Sequence, residues 1–455
     1  MIIFPRRITS LLVRRLRHRP VVVLTGSRQA GKTTLVRHLF PALGEEEPVY
    51  FTLDDPDERL RLAADPVRRL DHHQRLVVLD EIQKQPILLD AVKLLADRGR
   101  RFLLLGSSQI LLLRQVRETL AGRASLLELW PLALCERVET AEASPSVLDT
   151  LWQEGERVLQ HLSSSPPTAE EARTWRARAE VHLLWGGYPA LDHLPPSERA
   201  PWLRDFRRTY LERDLADLGR VADLDEFALA QNLLAARTAQ LFNASEVARE
   251  LGVAVNTVRR YLRFLEISYQ TYLLRPAAPT ATARLIKSPK LYWTDPALAA
   301  LLAGKLGILD GPIYETAVLD ELLRWSSWQE EPPELHFYRT RAGREVDFVL
   351  TGPDRLLLLE AKMSEQAHPV DARPLAETLT ALGSGVRGPA PRLPVSGENG
   401  SGPDRYPPWR LGIIVTRGRE VRPLLPSVWE VPFWLLFGAL AHYGVSTSSP
   451  ARRPS

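Results

Sequence analysis

The feature that most constrains this chain is a glycine-containing loop near its amino end, set between an apolar run and a helical pattern. The run Val21–Leu24 has the β-branched composition of a buried strand, and residues 35–39 have helical spacing. Between them lies the pattern G-x-x-x-x-G-K-T. Loops of this kind wrap backbone N–H groups around phosphate oxygens at the start of a helix. The order strand, loop, helix therefore predicts a phosphate-binding loop.

The residues predicted to bind a nucleotide are those of the loop and the first turn after it. They are Gly26, Ser27, Arg28, Gln29, Ala30, Gly31, Lys32, Thr33 and Thr34. Lys32 is assigned to the outer phosphates, where it also assists catalysis, and the Thr33 hydroxyl to Mg²⁺. No N/T-K-x-D element that would mark guanine recognition follows, so the predicted cofactors are ATP and Mg²⁺.

A second apolar run, residues 76–79, ends in the pair Asp80-Glu81. This order places both acids at the carboxyl end of a buried strand, where open α/β sheets bind their ligands. We expect Asp80 to join the Mg²⁺ shell and Glu81 to polarise a water for in-line attack on the γ-phosphate. The pair favours ATP hydrolysis over a metabolite kinase, which a phosphate-binding loop alone would also allow.

Two further candidates follow in the same part of the chain. The apolar run 102–105 leads into Gly-Ser-Ser, and Ser107 or Ser108 is a candidate γ-phosphate sensor, the alternative being a plain Gly-Ser loop. Arg123 is a candidate for stabilising charge in the transition state, the alternative being a solvated turn arginine.

Composition limits the class of protein. The 455 residues are 45% hydrophobic and 25% charged, as in an ordinary soluble protein of several domains. The single cysteine, Cys135, excludes a disulfide framework and fits a reducing, cytoplasmic setting. No apolar run approaches the ~20 residues that a bilayer requires, so no membrane partner is expected. A net charge of +4 permits a nucleic-acid partner without arguing for one.

The middle of the chain is predicted to contain an insert followed by helical segments. Residues 140–180 contain a Ser-Pro run and are interpreted as an insert or flexible joint, and 181–240 as a helical lid. Residues 241–276 have the spacing of a winged helix-turn-helix, whose second helix presents Arg259, Arg260 and Arg263 outward. This arrangement predicts contacts with duplex DNA. The alternative is a winged module that only joins two domains.

The back of the chain, 277–445, has the order α-β-β-β-α-β. Asp347 followed by Glu360-x-Lys362, with Glu315 on the preceding helix, has the spacing of a PD-(D/E)XK nuclease core. Asp347 and Glu360 would gather a second divalent metal, and Lys362 would orient or deprotonate a water. An active nuclease and a retained, inactive fold both stay open. Residues 383–408 and the tail 446–455 are predicted to be disordered.

Taken in order, these motifs give the chain an overall resemblance to one family. The motifs are the phosphate-binding loop, Asp80-Glu81-Ile82-Gln83, Gly-Ser-Ser, Ala-Gly-Arg, Gly-Gly-Tyr-Pro, Tyr-Leu-Glu-Arg-Asp, the winged helix and Glu-Ala-Lys. Over roughly residues 5–440 the chain resembles prokaryotic AAA-type ATP-binding proteins with a restriction-endonuclease-like carboxy-terminal domain of unknown function. The resemblance implies ATP binding and a cytoplasmic setting.

The predicted fold class is α/β. A P-loop ATPase core with a parallel sheet (1–139) is followed by a helical lid, a winged helix and a nuclease-like α/β domain. The predicted function is an ATPase that acts on DNA. The alternative is a nucleotide-gated adaptor that binds another protein and carries an inactive nuclease-like domain.

Overall fold

The fold was analysed in a computed structural model. It describes residues 3–43, 47–73, 75–106, 119–138, 144–218, 224–277, 288–340, 343–385 and 409–439. The predictions for Ser107, Ser108, residues 386–408 and the tail 446–455 fall outside these ranges. Residues 383–385 are helical, so the disorder predicted for 383–408 is wrong at its start. No helix among the described residues is long and apolar enough to cross a membrane.

The amino-terminal part of the chain is a parallel sheet with helices on both faces. The sheet has the strand order β2-β3-β4-β1-β5. Its elements are α1 (Thr9–His18), β1 (Val21–Gly26), α2 (Lys32–Leu43), β2 (Val49–Thr52), α3 (Pro56–Ala64), α4 (Pro66–Asp71), β3 (Val77–Asp80), α5 (Leu88–Asp97), β4 (Phe102–Leu105) and β5 (Ala124–Leu129). The predicted α/β class and parallel sheet are confirmed, with β4 between the strand of the phosphate loop and the strand of Asp80.

Burial on both faces explains why β1 reads as an unbroken apolar run. Val21 and Val23 pack with α3, α4 and α5, whereas Val22 and Leu24 pack with α1 and α2. This central position fixes the end of β1, and with it the start of the phosphate loop.

Within the segment 140–180, predicted as an insert or flexible joint, the described residues are mostly helical, so the flexible-joint alternative is wrong for residues 147–180 and the insert alternative stays a prediction. The helices are α6 (Val147–Glu154), α7 (Arg157–Ser164) and α8 (Ala169–Trp185). Leu151, Leu159 and Trp175 are buried against the sheet at the back of the chain. The Ser-Pro run only joins α7 to α8, where Thr168 begins the new helix by a reciprocal cap with Glu171.

The middle of the chain is a helical module closed by a small sheet of strand order β6-β8-β7. Its elements are α9 (Pro189–Asp192), α10 (Pro196–Leu218), α11 (Leu224–Ala235), β6 (Gln240–Leu241), α12 (Ala244–Leu251), α13 (Val255–Ile267), β7 (Thr271–Leu274), β8 (Lys290–Trp293) and α14 (Pro296–Leu302). Strand β8 was predicted in the rear domain, but it pairs with β6 and β7, so this boundary is corrected.

The back of the chain is a mixed sheet of strand order β13-β14-β12-β11-β10-β9. Its elements are α15 (Gly311–Ser327), β9 (Glu334–Arg339), β10 (Glu345–Thr351), β11 (Arg355–Ala361), α16 (Pro369–Gly385), β12 (Trp409–Thr416), β13 (Arg422–Leu425), β14 (Val428–Pro432) and α17 (Phe433–Leu436). Helix α16 covers one face, and α15 packs on the other face together with α6, α7 and α8. The predicted order α-β-β-β-α-β is present and is extended by β13, β14 and α17.

Candidate nucleotide site and two associated clusters

The phosphate loop runs from Gly26 at the end of β1 to Lys32 at the start of α2. Gly26 has φ +148°, and a Cβ there would lie 2.0 Å from the carbonyl oxygen of Leu129 on β5. Only glycine allows so close an approach of two backbones. The close packing of β1 and β5 therefore determines where the loop turns.

Lys32 is buried within the loop. Its Nζ donates to the carbonyl oxygens of Gly26 and Ser27, both at 2.9 Å. These bonds satisfy an ammonium group that would otherwise be a costly buried charge. They also hold it over the loop, at the position from which a lysine reaches bound phosphates.

Thr33 and Asp80 meet at the opening of the loop. The Thr33 hydroxyl donates to Asp80 Oδ2 at 3.0 Å, although the two residues are 47 positions apart in the sequence. A hydroxyl and a carboxylate side by side are oxygen ligands of the kind that Mg²⁺ takes alongside phosphate oxygens. The residues present fit a magnesium ion.

Tyr50, which the sequence analysis did not single out, also contacts this pair. Its hydroxyl donates to Asp80 Oδ2 from the neighbouring strand β2. Burial and the Asp80 carboxylate raise the pKa of Tyr50 above its ordinary value. Tyr50 therefore stays a neutral donor that fixes the orientation of Asp80.

Glu81 follows Asp80 in a left-handed backbone conformation, with φ +57°. Its N–H donates to Asp80 Oδ1 at 3.0 Å, and its carboxylate accepts a hydrogen bond from the Gln83 side chain. A non-glycine residue in this region of φ and ψ is strained, and such strain is common at functional sites. The turn holds Glu81 beside Asp80, and Gln83 sets the direction of its carboxylate.

Arg123 is not brought to the phosphate loop of its own chain. It immediately precedes β5, whose first residue pairs with Val21 at the start of β1. Its guanidinium binds Asp97 with two hydrogen bonds of 2.6 and 3.0 Å at the surface. Arg123 therefore does not reach the phosphate loop of its own chain, because it lies at the amino ends of the strands and the loop follows their carboxyl ends. A catalytic role toward a neighbouring chain stays a prediction.

Arg6 links the phosphate loop to the rest of the molecule. Its guanidinium donates to the carbonyl oxygen of Ala30 at 2.7 Å and to that of Trp130 at 2.6 Å, and it pairs with Glu136 at 3.1 Å. A second link starts one residue before the loop, where the Thr25 and Tyr269 hydroxyls are 2.7 Å apart. Tyr269 follows α13, so this contact joins β1 to the helical module.

The three predicted arginines of α13 share one exposed side of that helix. Arg259, Arg260 and Arg263 are exposed, whereas Val258 and Leu262 are buried against the module's core. Helix α12 ends at Gly252, with φ +70°, and the turn after it leads into α13. The structure places these three arginines together on the surface, and their contact with DNA stays a prediction.

The carboxylates predicted at the back of the chain also come together, on α15, β10 and β11. Asp347 Oδ2 accepts from the N–H of Ala361, next to Glu360. Burial and the nearby Asp347 raise the pKa of Glu360 to about 9 and that of Glu315 to about 7. Lys362 instead pairs with Asp371 of α16, at 3.5 Å.

An unpredicted lysine enters this cluster from β8. Lys290 Nζ lies 2.9 Å from Glu315, 2.5 Å from Glu345 and 3.2 Å from Asp347. Among the described residues, no group of three or more acidic, histidine or cysteine side chains is arranged to hold a metal ion. A second divalent metal does not fit this cluster as it stands, because an ammonium group already lies between its carboxylates.

Comparison with known proteins covers three consecutive parts of the chain. Residues 18–138 match the model of an AAA domain. Residues 176–307 and 310–431 match two domains of unknown function, DUF8612 and DUF4143. The AAA match, the strand order and the phosphate loop define the class: the chain has an AAA-type, P-loop ATPase domain.

The particular family follows from whole-chain relatives. The uncharacterized protein Rv2008c of Mycobacterium tuberculosis is 33% identical over 75% of this chain and 70% of its own length, and Mb2031c of Mycobacterium bovis gives the same values. The chain belongs to the family of these mycobacterial proteins. MJ1544 of Methanocaldococcus jannaschii is 22% identical over 74% of each chain.

Solved structures resemble the chain more weakly. The Walker-type ATPase PABY2304 of Pyrococcus abyssi is 14% identical, covers 66% of this chain and 96% of its own, and has a TM-score of 0.42. The RuvB Holliday junction branch migration motor of Thermotoga maritima is 16% identical, covers 62% of this chain and 93% of its own, and has a TM-score of 0.27. At these values the likeness says nothing about activity.

Proposed function

We propose that this protein binds and hydrolyses ATP with Mg²⁺, and that it acts on duplex DNA in the cytoplasm. The observation that supports the ATPase part is the hydrogen bond between Thr33 and Asp80 beside the phosphate loop, which also contains Lys32. The side chains that a magnesium nucleotide requires come together there, although Asp80 is far from Lys32 and Thr33 in the sequence.

Each of these residues has a role in the proposed reaction. Lys32 leaves the loop carbonyls and pairs with the outer phosphates, while the loop N–H groups bind the remaining oxygens. Thr33 and Asp80 would hold the Mg²⁺, which neutralises charge on the phosphates when bound. Glu81 orients a water and accepts its proton as the water attacks the γ-phosphate in line.

The DNA part of the proposal is supported by the helical module. Helices α11, α12 and α13 with strands β6, β7 and β8 have the order of a winged helix, and α13 presents three exposed arginines. Arginines on an exposed helix suit contacts with the phosphates of a duplex. The contact between Thr25 and Tyr269 gives a route by which the nucleotide could influence this module.

Turnover of ATP, measured with and without duplex DNA at low salt, tests both parts. We expect basal hydrolysis and an increase on adding DNA. The increase should be lost when Arg259, Arg260 and Arg263 are changed to alanine, whereas basal turnover should remain. Turnover without any DNA stimulation or DNA binding would remove the DNA part and leave the ATPase part.

The second candidate is a nucleotide-gated adaptor that binds another protein and hydrolyses ATP slowly or not at all. It is favoured by the rear cluster, in which Glu315 and Asp347 pair with Lys290 while Lys362 pairs with Asp371. Metal-dependent cleavage would require Asp347 and Glu360 to gather a metal. Plasmid nicking with Mg²⁺ or Mn²⁺, compared with Glu360→Ala, tests that requirement.

Glu81→Gln separates the two candidates. If the protein is an ATPase, this change should lower turnover by about 100-fold or more, because the general base is lost. ATP binding should be retained, because the phosphate loop is unchanged. In an adaptor the change should leave both turnover and partner binding nearly unaltered. Asp57→Asn, at an exposed helix start on the same domain, is the matched control.

A further inference from the structure

The rear cluster holds an ammonium group where its chemistry calls for a cation. Lys290 is buried, and its Nζ is within 3.2 Å of carboxylate oxygens from three residues on two elements, α15 and β10. Buried carboxylates repel one another unless a positive charge is shared among them. The lysine supplies that charge from a third element, β8.

The other groups around Lys290 strengthen this arrangement. Tyr292, two residues along β8, donates to the same Glu315 oxygen at 2.5 Å. Arg339 pairs with Glu345 at 3.4 Å, and the ring of Phe337 lies 5.8 Å from Lys290 Nζ. The Oε2 atom of Glu360 is buried near Asp347 and has no hydrogen-bond partner among the described residues. The cluster therefore has more acidic groups than cations, and the Lys290 ammonium occupies the space between its carboxylates.

We propose that Lys290 is the resident cation of this cluster. Its ammonium takes the place that a divalent metal would take between Glu315 and Asp347, so the native chain holds no metal there and does not cleave DNA through it. The proposal is independent of nucleotide hydrolysis. It assigns the cluster a joining role, because Lys290 ties the small sheet of the helical module to the rear domain.

Replacement of the lysine by an uncharged side chain of similar length should convert the cluster into a metal site. With Lys290→Met, the carboxylates of Glu315, Glu345 and Asp347 lose their shared cation. Hard divalent ions prefer sets of carboxylate oxygens such as this one. Mn²⁺ serves as the probe, because its free and bound forms are distinguished by electron paramagnetic resonance.

The experiment titrates Mn²⁺ into the full-length, nucleotide-free protein. We expect the wild type and the Asp347→Asn variant to bind the same amount of Mn²⁺. For Lys290→Met we expect one additional bound ion per chain. That ion should disappear in the double variant with Asp347→Asn and persist with Asp80→Asn, which reports on the phosphate loop instead. Lys305→Met, which removes an exposed lysine paired with Asp310, is the control and should gain nothing.

Two results would overturn the proposal. One is wild-type protein that binds Mn²⁺ in a manner abolished by Asp347→Asn, since the site would then be open. The other is a folded Lys290→Met variant, checked by circular dichroism, that binds no additional ion. If Lys290→Met does not fold, Lys290→Gln replaces it, and the comparison of wild type with Asp347→Asn still decides whether the native cluster takes metal.

Discussion

At the scale of single residues, Glu360 is a carboxyl group whose ionisation the fold strongly disfavours. The unfolded chain loses this proton at about pH 4.3, whereas burial and Asp347 raise its pKa to about 9 in the folded protein. Between these values the folded state binds more protons than the unfolded state. Stability should therefore fall as the pH rises through this window.

Glu360→Gln should remove this loss of stability at high pH. We expect the variant to be more stable than the wild type by roughly 1–3 kcal/mol at pH 8.5, and the difference to shrink as the pH is lowered toward 5. Urea unfolding at several pH values measures it. Glu377→Gln, at an exposed position on α16, is the control and should show little pH-dependent change. A difference that does not vary with pH would contradict the account.

Gly187 lies where a buried ion-pair cluster leaves no room for a side chain. A Cβ at this residue would be 2.5 Å from Arg324 Nη2 and 2.6 Å from the carbonyl oxygen of Leu132. Gly187→Ala should therefore displace a fully buried arginine and lower stability by about 2–4 kcal/mol. Thermal or urea unfolding tests this expectation.

Gly311→Ala is the matched control, because nothing lies within 4 Å of a Cβ there. Alanine is also the better helix former, so the control should be neutral or slightly stabilising. Equal effects of the two substitutions would mean that the cluster around Arg324 is not tightly packed.

Residues whose roles depend on a contact across strands were not predictable. The order strand, glycine loop, helix suffices to locate Lys32 and Thr33, because the motif is local. Tyr50 and Lys290 carry no such signal, since their partners come from β3 and from α15 and β10. Arg123 shows the opposite failure. An arginine suits the stabilisation of phosphate charge, but Arg123 lies at the amino end of β5, away from the phosphate loop.

At the scale of elements, the contact between Tyr269 and Thr25 joins the strand of the phosphate loop to the segment after α13. Tyr269→Phe removes the hydroxyl's hydrogen bonds to Thr25 at 2.7 Å and to Glu128 at 3.4 Å, and it leaves the ring, which packs edge-on against Trp130. We expect DNA stimulation of turnover to fall about fivefold, corresponding to about 1 kcal/mol of coupling, with turnover in the absence of DNA retained.

Tyr314→Phe is the control for this prediction. The Tyr314 hydroxyl is buried and has no hydrogen-bond partner among the described residues, so its removal should leave coupling unchanged. DNA stimulation that is as strong in Tyr269→Phe as in the wild type would show that the contact does not transmit the effect of the nucleotide.

Helices α6, α7 and α8 show why elements were harder to predict than motifs. Their apolar residues have helical spacing, but the Ser-Pro run between them suggested a joint. The deciding signals were two capping boxes, Ser146 with Asp149 and Thr168 with Glu171. Strands β11 and β12 of the rear sheet were easier, because their apolar runs are nearly continuous, whereas β13 and β14 were not predicted.

At the scale of the whole molecule, polar contacts connect the phosphate loop with the rear domain. Arg6 binds both Ala30 and Glu136, and the Arg7 N–H donates to Glu136 at 2.7 Å. Arg7 also pairs with Asp149, whose carboxylate accepts from the Trp325 indole on α15 at 3.1 Å. A change in the loop on binding nucleotide therefore has a continuous set of partners through which it could reach the rear sheet. Burial of these charges makes each link costly to break.

Binding of ATP with Mg²⁺ to the wild type and to Lys32→Ala is the measurement that tests the central claim most directly. We expect saturable binding of one nucleotide by the wild type, at least about tenfold weaker binding by Lys32→Ala and no turnover in that variant, because the ammonium group pairs with the phosphates. Lys84→Ala, an exposed lysine of the same domain, should bind as the wild type does. A wild type without affinity for ATP and Mg²⁺, or an undiminished affinity in Lys32→Ala, would contradict the account.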